Sequence, residues 1–362
     1  MGCIVTGALG WGCTLLTPLD DLSDGVPAVQ GDGGTDTSEG DASGEDVSAE
    51  GSVEADATDA GVDSADGETG PSADATDGDA SETGTTAEQA CAQQAAAFCE
   101  RVVQCTSAFS MSVLYGDVAT CKMTVGQHCL LVASADGAGV TVPELLQCAT
   151  DYQSHPCEDL VAYRWPESCR PKAGAYANGA GCWTGTQCAS AHCNVNPGQL
   201  CGKCATPATA GQPCPYGLEC DWGLSCQAGQ CAPMARKNEA CGPGHTCRFG
   251  LNCVGLACSD APDLGAACDD STGVSCNLIN GQYCSAAMKC EQGSLASIGD
   301  ACGVVSGQVK WCLGGSTCAP GEGGNYCQAP GDGDSCSPSV PCAPPDACYL
   351  GVCVLPGSVT CP

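Results

Sequence analysis

Residues 214–231 read CPYGLECDWGLSCQAGQC, with four cysteines and few large apolar side chains between them. The whole chain has 36 cysteines among 362 residues, but only three Phe, five Trp and eight Tyr. So many cysteines with so little apolar bulk predict a disulfide scaffold, because crosslinks replace a large hydrophobic core in small modules. Disulfides persist in oxidising compartments, so we expect an exported protein, extracellular or on the outer cell surface.

The cysteine spacing of this stretch recurs along the chain. C-x5-C-x5-C-x4-C is present at 214/220/226/231 and 241/247/253/258, and looser copies begin at cysteines 268, 302 and 336. A Gly or Asn stands three residues before most first cysteines (Gly211, Asn238, Gly265, Gly299, Gly333). We expect residues 171–362 to form small disulfide-rich modules with short β-hairpins. A period of this length is typical of stacked units, but units so poor in apolar residues could also stand as beads on a string.

Acidic residues are concentrated before the cysteine-rich part. Residues 1–90 contain 21 Asp and Glu and no Lys or Arg, and the chain carries a net charge of −31. Residues 14–85 cannot bury enough apolar surface to offset their ordering entropy, so we predict a disordered acidic linker. A spacer is favoured over a calcium-binding tail, since the fixed spacing of a calcium loop is missing. The charge argues against nucleic acid or an anionic membrane as a partner.

Residues 1–13, MGCIVTGALGWGC, form a short apolar run of mostly small residues. The run is too short to cross a bilayer as a helix, and it looks like the end of a secretory signal peptide. Its last residues resemble a bacterial lipobox, in which Cys13 is acylated and becomes the mature N-terminus. We predict a lipid anchor at Cys13, with a plain signal peptide and an unmodified Cys13 as the alternative.

Residues 86–170 have the pattern of a small helical domain. Apolar and cysteine residues recur at helical spacing over 91–102 and 121–129, and Thr86 and Thr141 begin capping-box sequences. The segment contains eight cysteines, which is an even number. We therefore predict four disulfides within it, with a connectivity that the sequence alone cannot give.

The cysteines of residues 182–231 resemble those of the N-terminal cysteine-rich domain of the Dickkopf family of secreted Wnt antagonists. The matching positions are Cys182, Cys188, Cys193, Cys201, Cys204, Cys214, Cys220, Cys226 and Cys231. The family has an adjacent cysteine pair where this chain has Cys220 alone, so one position is missing. The resemblance implies a secreted binding module without catalysis, with copies of its second half over 241–353. Wnt antagonism is not carried over, because a lipobox and an acidic tether point to a bacterial envelope.

The number of cysteines predicts one long-range disulfide. The helical domain has eight and each copy from 241 to 353 has four, but residues 182–231 have nine. Cys361 belongs neither to the helical domain nor to any of these four-cysteine copies, so it also lacks a local partner. We predict a disulfide from residues 182–231 to Cys361. The alternative is that neighbouring repeats exchange partners and Cys361 pairs locally.

Metal, redox and hydrolytic chemistry are all disfavoured by the sequence. Zinc knuckles need paired CxxC or Cys/His motifs, and the chain has one CxxC, Cys201-Gly-Lys-Cys204, and four scattered histidines. A thioredoxin-like CxxC opens a helix after a strand, whereas this one is flanked by loop sequences. No nucleotide-binding or catalytic motif is present. We therefore expect no cofactor, no metal and no enzymatic activity.

Two non-enzymatic functions remain. The first is a monomeric surface-displayed binding or adhesion protein with an unknown protein or glycan ligand, touching the membrane only through its lipid. Its candidate contacts are DWGL (221–224), RFGL (248–251) and KW (310–311), although Trp222, Phe249 and Trp311 are more simply explained as the core of their own modules. The second is a protease inhibitor, for which Arg236-Lys237 and Arg248 are the basic candidates.

Overall fold

The computed structural model describes residues 84–196, 199–215, 219–337 and 339–362. The predictions about Cys13 and about the linker as far as residue 83 lie outside these residues. The described residues from Thr85 onward belong to one compact unit, in which a small helical domain precedes disulfide-rich modules. The helices are α1 (Ala87–Cys105), α2 (Ala108–Tyr115), α3 (Val118–Ala133), α4 (Val142–Ser154) and α5 (Cys157–Leu160).

Both predicted capping boxes begin helices. At α1, the Thr86 hydroxyl accepts a hydrogen bond from Gln89 N at 3.3 Å, and Gln89 Oε1 accepts one from Thr86 N at 3.0 Å. At α4, Glu144 Oε2 accepts from the backbone N and the hydroxyl of Thr141 at 2.9 and 2.8 Å. These contacts satisfy N–H groups that have no partner inside the helix, so each start is fixed by local sequence.

Four disulfides close the helical domain, in agreement with the prediction. They are Cys91–Cys129 and Cys99–Cys121 between α1 and α3, Cys105–Cys157 between the end of α1 and α5, and Cys148–Cys169 between α4 and a 3₁₀ turn at Glu167–Cys169. The core between the helices contains Phe98, Val125 and Tyr152, and the rings of Phe98 and Tyr152 meet edge to face at 5.4 Å. None of the helices in the described part of the chain has the length and apolarity that a membrane crossing requires.

The rest of the described chain contains short strands, arranged in two- and three-stranded sheets, and three short 3₁₀ turns at Gly185–Gln187, Asp270–Thr272 and Leu278–Asn280. The strands are β1 (Gly181–Cys182), β2 (Cys193–Val195), β3 (Gly202–Cys204), β4 (Ser225–Gln227), β5 (Gln230–Ala232), β6 (Leu251–Val254), β7 (Ala257–Asp260), β8 (Gln282–Cys284), β9 (Cys290–Gln292), β10 (Ser294–Ala296), β11 (Gly303–Val305), β12 (Gln308–Cys312), β13 (Thr317–Gly321), β14 (Gly324–Gln328), β15 (Ala347–Tyr349) and β16 (Val352–Val354). All strand pairs are antiparallel except β10 with β12. The predicted fold class of short hairpins in disulfide-rich modules after a helical region is confirmed for these residues.

Six modules share one pattern. We define them as residues 176–204, 208–231, 235–258, 262–290, 296–327 and 330–353. In each module, with Cys201 of the first module set apart, the first of four cysteines pairs with the third and the second with the fourth. The third and fourth cysteines face each other across an antiparallel strand pair, such as Cys226 in β4 and Cys231 in β5. The two disulfides therefore fasten one hairpin to the chain that precedes it.

The residue three positions before the first cysteine has the same conformation in every module. Its φ is positive, and its N–H donates to the carbonyl of the module's last cysteine at 2.7 or 2.8 Å. These residues are Gly179, Gly211, Asn238, Gly265, Gly299 and Gly333. Glycine adopts this conformation without strain, and Asn tolerates it better than most other residues do.

Residues 182–231 form two modules rather than the single nine-cysteine unit that the Dickkopf-like spacing suggested. Gly179 marks the first of them, and its pairs are Cys182–Cys193 and Cys188–Cys204. The sequence pattern concealed this module because Cys201 interrupts the run between its third and fourth cysteines.

Cys201 forms a disulfide with Cys361, 160 residues further along the chain. The predicted long-range bridge is therefore present. Every cysteine after residue 90 is in a disulfide.

The modules contact one another and the helical domain. Thr246 N donates to Gln227 Oε1 between the second and third modules at 2.6 Å, and Gln187 Nε2 of the first module donates to Asp136 O after α3 at 3.0 Å. The second and third modules are therefore hydrogen-bonded to each other, which differs from the beads-on-a-string alternative.

Candidate binding surfaces

Two aromatic residues of the modules pack against the helical domain. Phe249 meets Tyr163 edge to face at 5.3 Å, and Trp311 meets Phe109 of α2 at 6.4 Å. The buried clusters within the modules consist mostly of cysteines. The expectation that Trp222, Phe249 and Trp311 form the cores of their own modules is therefore corrected for Phe249 and Trp311, because the disulfides already fill those centres.

The basic residues considered for protease inhibition are engaged in contacts within the protein. The guanidinium of Arg236 pairs with Asp159 of α5, which Arg164 also approaches at 3.7 Å. Lys237 pairs with Asp260, and Arg248 is half-buried and donates to Phe249 O at 3.2 Å. None of these three basic side chains extends alone from an exposed loop.

The CGKC sequence does not form a disulfide within itself. Cys201 is bonded to Cys361, and Cys204 is bonded to Cys188. Lys203 between them donates from Nζ to the Pro362 carbonyl at 2.5 Å. The two cysteines of this motif therefore belong to two different structural disulfides and do not form a redox pair with each other.

Several modules bring three cysteine sulfurs within 4.8 Å of one another, the spacing that a metal site would use. One example is Cys214, Cys220 and Cys231. All three are in disulfides, and zinc binds thiolates rather than disulfide sulfurs. The clusters result from two crossing disulfides packed side by side.

Three modules expose a large apolar side chain at the tip of their hairpin. These tip residues are Leu256, Met288 and Leu350, which are 72%, 49% and 87% exposed. Their φ angles are 65°, 57° and 52°, in the left-handed region that side-chain-bearing residues rarely adopt. These residues were not predicted from the sequence, although a large apolar residue stands beside a turn glycine in Val254-Gly255-Leu256 and in Leu350-Gly351-Val352.

A cavity of about 110 Å³ lies between α1, α3, α4 and the segment 165–172, and we call it the interhelical cavity. Phe98, Leu145 and Tyr152 form part of its apolar wall, and all three are buried. Burial raises the pKa of the Tyr152 hydroxyl above its usual range, with a smaller effect from Tyr115, so this wall stays uncharged.

Polar groups line the other part of the interhelical cavity. They include Arg170 and Lys172 from the segment after Cys169, Glu144 from α4, and Trp222 of the second module. The Cys148–Cys169 disulfide holds this segment beside α4. The indole Nε1 of Trp222 is buried and has no hydrogen-bond partner among the described residues. Trp222, one of the sequence-predicted contacts, therefore lies at the interhelical cavity.

Comparison of the chain with models of protein families, with curated proteins and with solved structures finds no match. The class of the protein therefore rests on its own architecture. Its many disulfides and repeated cysteine-rich modules indicate an extracellular or secreted protein.

Proposed function

We propose that the protein is an exported, non-enzymatic binding protein that contacts a protein partner through the hairpin tips of its modules. The observation that carries this proposal is the left-handed, exposed conformation of Leu256, Met288 and Leu350. The Dickkopf-like cysteine spacing supports the same class of function, since that family consists of secreted binding proteins.

Each tip residue combines two unfavourable features. A non-glycine residue in the left-handed region costs about 1–2 kcal/mol. Glycine or asparagine would avoid this strain, and a polar residue would avoid exposing apolar surface to water. A single exposed leucine needs no explanation. The same combination in three hairpin loops is better explained by a contact that the side chains make with a partner.

The disulfides make the tips suitable for binding. Each hairpin is fixed by two disulfides, so little chain entropy is lost when a partner docks on it. Several tips on one crosslinked chain also raise the effective concentration of the second and third contacts after the first has formed. Aliphatic side chains favour a protein partner over a glycan, whose hydroxyl groups need polar contacts.

We also propose that the protein is held at the cell surface by a lipid on Cys13, with the acidic linker as a spacer. Mass spectrometry of the mature N-terminus tests this proposal directly. An acylated Cys13 supports the anchor, and a mature chain that begins at a later residue contradicts it.

The binding proposal is tested with tip variants of the full chain. In the triple variant, Leu256, Met288 and Leu350 are each replaced by Asn, which tolerates positive φ. Met123 on α3 is 57% exposed and lies outside the modules, so Met123→Gln is the matched control. We expect wild-type and control proteins to crosslink to the same envelope proteins. The yield of crosslinked complex should fall about tenfold or more in the triple variant, which is the effect expected from the loss of one anchoring side chain at an interface. Equal crosslinking by all three proteins would contradict the proposal.

A further inference from the structure

We propose that the interhelical cavity binds a small organic anion that has an apolar body, such as an arylacetate. This site is independent of the hairpin tips and of the partner proposed for them. Its walls come from the helical domain and the segment that follows it, and Thr184 and Thr186 of the first module and Trp222 of the second contribute to its lining.

The charge of the lining is opposite to that of the chain. The protein has 42 acidic residues against 11 Lys and Arg, yet Arg170 and Lys172 both line this cavity. Glu144 is the one carboxylate among the lining residues, and its Oε2 accepts hydrogen bonds from the backbone N and the hydroxyl of Thr141. Arg170 has an ion pair with Glu167 through Nε at 2.9 Å, while Lys172 has no ion-pair partner among the described residues. The cavity therefore offers a positive charge that the described residues leave unpaired.

A hydrogen-bond donor at the cavity also lacks an acceptor among the described residues. Trp222 Nε1 is buried, and an indole N–H can only donate. A buried donor without an acceptor costs about 1–3 kcal/mol, so an acceptor in the cavity would recover this free energy. A carboxylate can accept from the indole and interact with the Lys172 ammonium at the same time.

The apolar wall determines the rest of the ligand. Phe98, Leu145 and Tyr152 offer ring and aliphatic surface and no charge. The cavity volume of about 110 Å³ is somewhat smaller than the engineered cavity of about 150 Å³ that holds a benzene molecule. The body of the ligand is therefore no larger than one aromatic ring or one branched aliphatic chain, with its carboxylate toward Lys172.

The test is a titration of the full-length, disulfide-intact protein with three probes. Phenylacetate carries both the ring and the anion, 2-phenylethanol carries the ring without the charge, and acetate carries the charge without the ring. The indole ¹H–¹⁵N resonance of Trp222, assigned with Trp222→Phe, reports on an acceptor at Nε1. We expect saturable phenylacetate binding with a Kd of about 1 mM or tighter, a reasonable affinity for ten non-hydrogen atoms. The Trp222 resonance should move, and the other two probes should bind at least about tenfold more weakly.

Two variants separate the site from general charge effects. Lys172→Met keeps most of the aliphatic stem and removes the charge, and it should weaken phenylacetate binding about tenfold while leaving 2-phenylethanol unchanged. Lys289→Met, on the exposed loop of the fourth module, is the matched control and should bind like wild type. Equal affinity for phenylacetate and 2-phenylethanol, or no saturable binding of phenylacetate, would overturn the proposal. Binding only of peptides that end in a C-terminal Phe would also overturn it, because the occupant would then be a chain terminus.

Discussion

Single residues with positive φ define where each module begins. Five of the six opening positions are glycine and one is Asn238, and each donates its N–H to the last cysteine of its module. At Gly211 and Gly265 an added Cβ would meet no atom within 4 Å, so the requirement there is conformational rather than steric. Asn238 shows which other residue type the position accepts.

This requirement predicts different outcomes for two substitutions at Gly211. Gly211→Asn should lower the free energy of unfolding by only a few tenths of a kcal/mol, whereas Gly211→Val should lower it by about 1–2 kcal/mol or more. The reason is that Asn tolerates the left-handed region and a β-branched residue does not. Denaturant unfolding of both disulfide-intact variants measures the difference. Equal losses would show that the φ of Gly211 does not matter for stability.

The tip residues predict the opposite direction of change. Leu256→Asn should raise the free energy of unfolding by about 0.5–1 kcal/mol, because Asn relieves the strain of a φ of 65° at an exposed side chain. Thermal unfolding with Val254→Thr as the neighbouring control checks this prediction. A stabilised variant that has lost its partner would show that the strain is maintained for binding; a destabilised one would mean that Leu256 packs on its own module.

One histidine predicts a pH dependence of stability. Burial lowers the pKa of His192 below its usual value of 6.5, although Asp221 and Glu219 act in the opposite direction. As the pH falls, His192 therefore takes up its proton first in the unfolded chain. Stability is lost over the pH range between the pKa of His192 in the unfolded chain and its lower pKa in the folded protein. Wild type should be less stable at about pH 5 than at about pH 8, and His192→Gln should lose less over the same range. An identical pH profile for the two proteins would contradict this assignment.

The short strands and helices are held together by disulfides and by close backbone approaches. Gly281 follows a 3₁₀ turn in the fourth module and contacts α2, where an added Cβ would lie 2.3 Å from the Phe109 ring. Ser107 donates from its hydroxyl to the carbonyl of the neighbouring Ile279 at 2.6 Å. Glycine at this position therefore lets the fourth module pack directly on the helical domain.

Gly281→Ala and Gly265→Ala form a matched pair. Both glycines have positive φ, but Gly265 has open space around it. Gly265→Ala should cost about 1 kcal/mol of unfolding free energy, and Gly281→Ala about 1–3 kcal/mol more because of the clash with Phe109. Thermal unfolding compares the two variants. Phe109→Ala in the Gly281→Ala background should remove the additional loss, and its failure to do so would place the effect elsewhere.

The helices were predictable from the sequence where local signals agree. Helices α1 and α4 have capping boxes and helical spacing, and both were found. Helix α2 was missed, because Ala108–Tyr115 is apolar on nearly all sides and has no helical period to detect. The hairpins were predicted only as a class, since cysteine spacing does not determine which cysteines pair. The interhelical cavity could not be predicted, because Trp222 reaches it only after the second module has packed beside the helices.

The chain is crosslinked both within its modules and between distant segments. Pairs within each module span 11 to 16 residues, while Cys201–Cys361 spans 160. The long bridge joins the first module to the segment after the sixth, so the modules from second to sixth lie in one covalent loop. The helical domain contacts the first module through Asp136, the third through Asp159 and the fifth through Phe109. An isolated module would lack both this covalent loop and these contacts, so their effects must be measured in the full chain.

The disulfide between Cys201 and Cys361 predicts a long-range effect of its removal. Replacing both cysteines by Ser should lower the stability by about 2–4 kcal/mol, because the crosslinks inside the loop shorten its effective length in the unfolded state. The final residues also lose their anchor beside Lys203 and Gly181. Hydrogen exchange should therefore accelerate in β15, β16 and residues 355–362, while α1 and α3 keep their protection through their own disulfides.

The control replaces Cys214 and Cys226 by Ser, a pair 12 residues apart, which should accelerate exchange mainly within the second module. Unchanged exchange after residue 330 in the Cys201/Cys361 variant would mean that packing alone holds the last module in place.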